Sequence, residues 1–314
     1  MINLIDDNSD SRLSILEFIS KIEQSKELVF STSGTTGSPK YINHNVDLVM
    51  KNVKNDSKSS VWGLTYDYSK IAGSHVIVQA YKNKNLLVNL YKKSRSETHK
   101  LIRKYKITHI SGTPTFFRLN FNNEVFENLK QVTLGGEVVT EGVIKLVSSV
   151  FPNAKISNIY ALTEFGSILA SSSHLFKLSD RSSKFVKIKN NKIHILFQEK
   201  WHNTNDLVDL QSDGRFSIIG RESTMINVGG QKVNPLMIEE LINSFPKVKS
   251  SKVFGKKNSL IGNIVSAEVL CEPEFDMDSL KKFLRKKLRS FEIPRIIKQV
   301  RELKLNETGK ISRI

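Results

Sequence analysis

Short apolar runs alternate with helical segments through the middle of the chain. The runs that predict strands lie at 61–65, 86–90, 108–110, 130–134 and 155–160. Helical patterns lie between them at 72–81, 94–105 and 142–150, and Pro114 suits the first turn of one more helix. Because repeated βα units build a mainly parallel sheet, we expect an α/β fold whose ligands bind at the carboxyl ends of the strands.

The segment before this region leads into a loop rich in hydroxyl groups and glycine. Apolar residues at helical spacing over 13–22 predict a helix, and Leu28-Val29-Phe30 is typical of the end of a buried strand. The stretch from Ser31 to Lys40 follows directly. We therefore expect this loop to lie at the carboxyl end of the sheet.

The composition of the loop favours binding of phosphate. Glycine lets backbone N–H groups approach an anion, the Ser and Thr hydroxyls add donors, and Lys40 supplies a point charge. The loop is not a Walker motif, because Pro39 precedes the lysine and Tyr41 follows it. Taken alone, the stretch could equally be an ordinary flexible connection.

The pattern changes to short strands with turn signals from residue 184 onward. Asn190-Asn191 and Asp213-Gly214 predict antiparallel hairpins. The stretch 220–223 then marks the end of this pattern. Beyond the break, helices are predicted at 235–244 and 278–289, and strands near 252–254 and 264–270. We predict a core domain over 1–221, with a β-rich end, and a small mobile α+β lid over 222–314.

The composition excludes several classes of protein. A chain of 314 residues can bury a sizeable core, and no apolar run is long enough to cross a bilayer. The first residues lack the features of a signal peptide, and the single cysteine, Cys271, rules out an internal disulfide. The seven histidines show no metal-binding spacing. We expect a cytoplasmic protein.

The net charge of +17 favours an acidic partner or a polyphosphate substrate. The charge is scattered along the chain, however, and lysines on solvated faces explain it equally well. No basic motif interleaved with aromatic residues and no zinc-finger spacing occurs, so a nucleic-acid partner is not expected.

Six motifs follow one another along the chain. They are the loop at 31–40, Gly135-Gly136-Glu137, the stretch 158–164, Thr204-Asn205-Asp206-Leu207, the stretch 220–235 and the C-terminal stretch 306–313. In this set the chain resembles the adenylate-forming superfamily of acyl-CoA synthetases, aryl-CoA ligases and the adenylation domains of peptide synthetases. The resemblance implies that a carboxylate attacks the α-phosphorus of ATP, pyrophosphate leaves, and a thiol then takes the acyl group.

The resemblance also implies roles for individual residues. The β- and γ-phosphates would be held by the loop residues Thr32, Ser33, Gly34, Thr35, Thr36, Gly37 and Lys40. The resemblance places Gly135, Gly136 and Glu137 beside the adenine, with Tyr160 stacked on it. Thr163 would contact the α-phosphate. Asp206 and Arg221 would bind the ribose. Glu164 would hold Mg²⁺, and Lys310 would be the catalytic cation on the lid.

Substrate and acceptor follow less directly from the resemblance. The acid pocket is expected to include Asp67, Tyr68, Gly112 and Ala161. If Asp67 matches the aspartate of amino-acid-activating relatives, the substrate is an amino acid; otherwise Asp67 is a turn residue. The resemblance implies that the acyl acceptor is CoA or the phosphopantetheine of an acyl carrier protein.

The lid is expected to rotate between the two half-reactions. The hinge would be Glu222 and Ser223, and the thiol would approach along Gly229 and Gly230.

The sequence departs from the family pattern at three points within the motifs. Ala161 and Asn205 stand where relatives usually have glycine, and Asn227 stands where many have lysine. A methyl group at 161 is tolerable unless the backbone there has a positive φ, whereas asparagine accepts the left-handed region.

A fourth departure is the short segment before the phosphate loop. Only about thirty residues precede the loop, where relatives have on the order of one further domain. We expect a homodimer or an upstream subunit to cover the edge left by the short segment. A degenerate AMP-binding subunit or scaffold is the alternative outside the enzyme class.

Overall fold

The computed structural model describes residues 3–32, 40–51, 53–57, 59–122 and 124–313. The chain divides into two compact units. The first comprises Met1–Glu137, Lys145–Ser172 and Glu307–Gly309, and the second comprises Val138–Ile144, Ser173–Asn306 and Lys310–Ile314. The β-rich region after residue 184 is grouped with the C-terminal residues, and the hinge boundary at residue 222 stays a prediction.

The first unit contains a sheet of seven strands among the described residues. The strands of this unit are β1 (Asn3–Ile5), β2 (Glu27–Thr32), β3 (Lys40–Asn45), β4 (Val61–Leu64), β5 (Leu86–Asn89), β6 (His109–Gly112), β7 (Gln131–Gly135), β8 (Lys155–Leu162) and β9 (Gly166–Ser171). The large sheet has the order β1-β5-β4-β6-β7-β8-β9. All its neighbouring pairs are parallel except β8–β9, as the βα alternation predicts.

Helices lie between many of these strands. They are α1 (Ser9–Gln24), α2 (Val46–Lys51), α3 (Ile71–Lys82), α4 (Arg95–Tyr105), α5 (Pro114–Asn120) and α6 (Glu141–Val150). In α1, Asn8 caps the first turn and Ile15, Ile19 and Ile22 are buried at helical spacing. The predicted helix is confirmed, but Leu13 of the predicted stripe is 59% exposed.

The sequence interpretation was wrong about the strand before the glycine-rich loop. This strand, β2, does not join the parallel sheet but pairs with β3 in a separate antiparallel sheet. Leu28 and Phe30 are buried while Val29 is 58% exposed, which is the alternation of a strand with one solvated face. The apolar triplet therefore does not mark a strand buried on both faces, and the loop joins two strands of a hairpin.

The second unit is built from two further sheets. Its strands are β10 (Val186–Lys189), β11 (Lys192–Phe197), β12 (Lys200–Leu210), β13 (Phe216–Arg221), β14 (Ile226–Val228), β15 (Gln231–Val233), β16 (Val248–Asn258), β17 (Gly262–Cys271) and β18 (Ile296–Val300). β10 to β13 form an antiparallel meander, and β15-β14-β17-β16 form the other sheet with β18 parallel to β17. The predicted turn at 190–191 is confirmed, since both asparagines have a positive φ.

Two helices of the second unit pack on the sheet that contains β17. They are α7 (Pro235–Asn243) and α8 (Met277–Lys287). Ile238 and Ile242 of α7 and Leu280 and Leu284 of α8 are buried in one apolar cluster with strand residues such as Val265. The predicted α+β character of this region is confirmed. Within the described residues, no helix is long and apolar enough to cross a membrane.

Candidate nucleotide-binding site

The glycine-rich loop connects β2 to β3. Thr32 and Lys40 pair across the hairpin as the last residue of β2 and the first of β3. Ser33, Gly34, Thr35, Thr36 and Gly37 lie outside the described residues. Their phosphate-binding role therefore stays a prediction, as do the roles of the Thr32 and Lys40 side chains.

A histidine links this hairpin to the turn that carries two predicted site residues. His44 on β3 donates from Nε2 to the backbone oxygen of Thr163 over 2.7 Å. Because a carbonyl oxygen only accepts, Nε2 carries the proton in this contact. The His44 ring also meets Phe30 of β2 edge to face, with 5.5 Å between the ring centroids. Sequence analysis missed His44, because 119 residues separate it from its partner.

The turn at Thr163 and Glu164 connects β8 to the antiparallel β9. Phe165 N–H closes it by donating to the Leu162 carbonyl over 3.1 Å, and Gly166 leaves it with a φ of 71°. Glu164 is exposed at this turn, whereas Tyr160 on β8 is only 8% exposed. The turn therefore presents the Glu164 carboxylate to solvent.

The backbone angles at Ala161 and Asn205 show whether residues other than glycine fit these two positions. The φ of Ala161 is not positive, so its methyl group causes no backbone strain. Asn205 has a φ of 60°, in the left-handed region that asparagine tolerates. Both substitutions fit the backbone conformations found at these positions.

Gly135, Gly136 and Glu137 lie where β7 ends. Gly136 has a φ of 81°, which favours glycine at this exit from the sheet. The Glu137 carboxylate accepts from the backbone N–H of Thr115 over 2.9 Å and from its hydroxyl over 3.0 Å. Glu137 thus holds the first turn of α5, a contact that sequence analysis did not predict.

The residues predicted for the acid pocket lie after β4, at the end of β6 and on β8. Asp67 accepts from the Ser69 N–H (2.8 Å), the Ser69 hydroxyl (2.7 Å) and the Tyr91 hydroxyl (3.2 Å). Burial, followed by the nearby Asp67 charge, raises the pKa of Tyr91. Tyr68 packs partly buried against the core of the first unit. A Cβ atom on Gly112 would lie about 3 Å from the rings of Phe116 and Phe117, so a side chain there would require these rings to shift.

Burial also raises the pKa of the Tyr66 hydroxyl, which lies shortly after the end of β4. Burial lowers the pKa of His75 on α3, and the nearby His44 lowers it further. Both groups are therefore held in their neutral forms near neutral pH.

The two residues predicted to bind the ribose form an ion pair in the second unit. Asp206 on β12 lies opposite Arg221 on β13, and Arg221 Nε donates to Asp206 Oδ1 over 2.8 Å. The Asp206 side chain is 7% exposed and that of Arg221 is 42% exposed. The Asp206 N–H donates to the Thr204 hydroxyl over 3.2 Å, which ties the motif together. The pairing of β12 with β13 brings together the two residues that sequence analysis assigned to the ribose.

The predicted hinge residue Glu222 pairs with two lysines within the second unit. Lys192 Nζ lies 2.7 Å and Lys232 Nζ 3.3 Å from its carboxylate oxygens. The hydrogen bond from Lys192, followed by that from Lys232, lowers the pKa of Glu222. Glu222 and Ser223 begin a single 3₁₀ turn between β13 and β14.

Gly229 and Gly230 form the turn between β14 and β15. Their φ angles are 56° and 85°, conformations that glycine adopts without strain. Asn227 accepts from the Gly230 N–H over 3.0 Å, and Gly229 N–H donates to the Ile261 carbonyl over 2.9 Å. Asn227, the third departure from the family pattern, thus shapes the predicted thiol path.

Lys310 lies in a short hairpin near the C-terminus. Its N–H donates to the Asn306 side chain over 3.1 Å, and its carbonyl accepts from the Asn306 N–H over 2.8 Å. Leu305 and Ile311 bridge the two sides, and Gly309 has a φ of 73° at the turn. The hairpin holds the backbone of the predicted catalytic lysine in one conformation.

Comparison with family models identifies the class of protein to which this chain belongs. The family model described as AMP-binding enzyme matches residues 26–199, and that of the AMP-binding enzyme C-terminal domain matches residues 237–310. The chain therefore belongs to the AMP-binding enzyme family.

Two curated relatives and one solved structure illustrate the range of similarity. The putative long chain fatty acid-CoA ligase VraA of Staphylococcus haemolyticus (strain JCSC1435) is 22% identical over 90% of this chain and 68% of its own length. The mitochondrial medium-chain acyl-CoA ligase ACSF2 of Macaca fascicularis is 31% identical, but over only 37% of this chain and 19% of its own length.

The solved structure is the o-succinylbenzoate coenzyme A synthetase MenE of Bacillus subtilis in complex with ATP and a magnesium ion. It has a TM-score of 0.66 and 20% identity, covering 90% of this chain and 68% of that one. This chain therefore shares its fold with the matched part of MenE. The chain spans about two thirds of the length of VraA and MenE, and the match covers about a fifth of ACSF2.

Proposed function

We propose that the chain activates a carboxylic acid with ATP and transfers the acyl group to a thiol. The observation that carries the proposal is the Asp206–Arg221 pair, in which a buried carboxylate and a half-exposed guanidinium meet at 2.8 Å. A carboxylate held in this way accepts hydrogen bonds from vicinal hydroxyls, as a ribose requires. The names of the relatives, which are acid–CoA ligases, support the same reaction class.

In the first step a carboxylate oxygen attacks the α-phosphorus of ATP. The new bond is that between the carboxylate oxygen and phosphorus, and the bond to the pyrophosphate oxygen breaks. Because charge accumulates on oxygens that are already anionic, catalysis rests on positioning and charge neutralisation. We assign neutralisation to Lys310, contact with the α-phosphate to Thr163, and the ribose to Asp206 and Arg221.

The residues present are compatible with one magnesium ion. Glu164 offers an exposed carboxylate, and Mg²⁺ commonly takes one or two protein carboxylates together with waters and phosphate oxygens. The part of the chain that the structure describes contains no group of three or more metal-binding side chains. A site with one protein carboxylate does not require such a group. When bound, the ion would neutralise phosphate charge beside Glu164. The complex of MenE with ATP and magnesium supports this assignment.

In the second step the thiol sulfur attacks the carbonyl carbon of the acyl-adenylate, and AMP leaves with its phosphate oxygen. We assign the hinge to Glu222 and Ser223 and the thiol path to Gly229 and Gly230. The short turn between β13 and β14 supports the hinge assignment, and the lack of side chains at Gly229 and Gly230 supports the thiol path. The acceptor is CoA or the phosphopantetheine of a carrier protein.

Exchange of labelled pyrophosphate into ATP tests the proposal. We expect exchange that depends on one class of acid when aliphatic, aryl and amino acids are supplied in turn. CoA and a phosphopantetheinylated carrier protein, offered separately to the loaded enzyme, identify the acceptor. Binding of ATP without exchange for any acid would favour an AMP-binding subunit instead, and failure to bind ATP would contradict both.

The contacts of Asp67 lead to a prediction about the acid. Since its carboxylate accepts three hydrogen bonds within its own turn and from Tyr91, we expect Asp67→Ala to leave acid preference unchanged. The variant should lose about 1–2 kcal/mol of stability from the missing hydrogen bonds. Ser69→Ala, which keeps the carboxylate, is the matched control. Loss of exchange with amino acids alone in Asp67→Ala would instead establish an amino-acid substrate.

A further inference from the structure

An ion pair with a buried carboxylate lies three residues after the predicted catalytic lysine. Arg313 Nη2 donates to Glu239 Oε2 over 2.7 Å, and Arg313 Nη1 donates to Glu239 Oε1 over 2.9 Å. The Glu239 side chain is 7% exposed and that of Arg313 is 30% exposed. This is the two-pronged geometry in which a planar guanidinium matches a carboxylate.

The pair is also attached to the sheet of the second unit. Glu239 on α7 accepts from the Val253 N–H on β16 over 2.7 Å, and Arg313 Nη1 reaches the Val253 carbonyl over 3.2 Å. The side chains of Glu239 and Arg313 therefore connect α7, β16 and the C-terminal stretch. A carboxylate as deeply buried as Glu239 is costly without a cation, so the position of Arg313 is strongly constrained.

This constraint reaches Lys310 through a short piece of backbone. Arg313 lies three residues after Lys310, a span of at most about 10 Å. The intervening backbone is held to the other side of the hairpin, where Ser312 N–H donates to the Lys304 carbonyl over 2.9 Å. Holding Arg313 therefore limits how far the backbone of Lys310 can move.

We propose that the Arg313–Glu239 pair is a positioning device that holds the Lys310 hairpin on the second unit. The inference rests on the proposed function, because Lys310 needs a defined position only if its charge acts in adenylation. Buried ion pairs add little net stability compared with apolar pairs, and their best-supported use is to specify one arrangement. In enzymes generally, a misplacement of about 1 Å costs a catalytic group about 100-fold in rate.

The test combines a structural measurement with a kinetic one. In Arg313→Gln and in the double variant Glu239→Gln/Arg313→Gln, we expect backbone hydrogen exchange over 304–312 to accelerate by about tenfold or more. We expect kcat of pyrophosphate exchange to fall about 10- to 100-fold, with KM for ATP unchanged within about twofold. The double variant leaves no charge buried, so it keeps the test valid if the single variant unfolds.

Arg215→Gln is the matched control. Arg215 belongs to the same unit and forms an exposed pair with Asp213 over 2.6 Å, so we expect neither measurement to change. Unchanged hydrogen exchange over 304–312 in the folded double variant, or a wild-type kcat, would overturn the inference. A wild-type rate in Lys310→Ala would refute the proposed role of the lysine and not the anchoring, which hydrogen exchange reports by itself.

Discussion

Lys310→Ala should lower the rate of acid-dependent pyrophosphate exchange by on the order of 100- to 1,000-fold. The reason is electrostatic, because the side chain supplies positive charge where charge develops during attack on the α-phosphorus. The substitution leaves the hairpin intact, since the hydrogen bonds between residues 306 and 310 involve the backbone of Lys310 and not its ammonium group. We therefore expect the variant to keep the hairpin and the loss to appear in kcat.

Two comparisons separate this role from a general effect of charge. Lys304→Ala removes the same charge from an exposed position in the same hairpin, and we expect it to retain exchange activity. Lys310→Ala supplied with a synthetic acyl-adenylate should still form thioester, because the first half-reaction is bypassed. Equal losses in both half-reactions, or equal losses in both lysine variants, would contradict the assignment.

Asp206→Ala should raise the dissociation constants of ATP and AMP by about 100-fold. Each hydrogen bond to a charged group contributes about 1.5–3 kcal/mol, and 1.4 kcal/mol corresponds to a factor of ten in affinity. The substitution removes the carboxylate that would accept the ribose hydroxyls and also releases Arg221 from its 2.8 Å contact. Calorimetric titration with each nucleotide measures the effect.

Asp209→Ala provides the control on the same strand. Asp209 is exposed on β12, where its carboxylate accepts from the Gln211 side chain over 3.0 Å, and we expect nucleotide affinity to be unchanged. Titration with 2′,3′-dideoxy-ATP gives a second check, because this ligand lacks both hydroxyls. It should bind wild type and Asp206→Ala equally. A large difference between the two for this ligand would place Asp206 elsewhere in the site.

Local patterns were sufficient for most of the first unit. The alternation of apolar runs and helices predicted β4 to β8 and their parallel pairing, because each pattern has the period of its own element. The tolerance of asparagine for the left-handed region was also known from the sequence, but the φ of 60° at Asn205 comes from the structure.

The assignment of β2 shows where local patterns fail. An apolar triplet is compatible with a strand in either kind of sheet, and only the partner decides which. The partner, β3, consists largely of polar residues that no hydrophobic pattern identifies as a strand. β1 was missed for a related reason, because its three residues are too few for a periodic signal.

By itself, the sequence determined the α/β class, the motif order and the chemical groups available for adenylation. The tertiary structure alone decided which groups meet: Glu137 with α5, His44 with Thr163, and Arg313 with Glu239, residues that lie 22, 119 and 74 positions apart. The physical reason is that a backbone pattern is specified by neighbours within a few residues. A contact between distant side chains depends instead on strand pairing and burial across the whole unit.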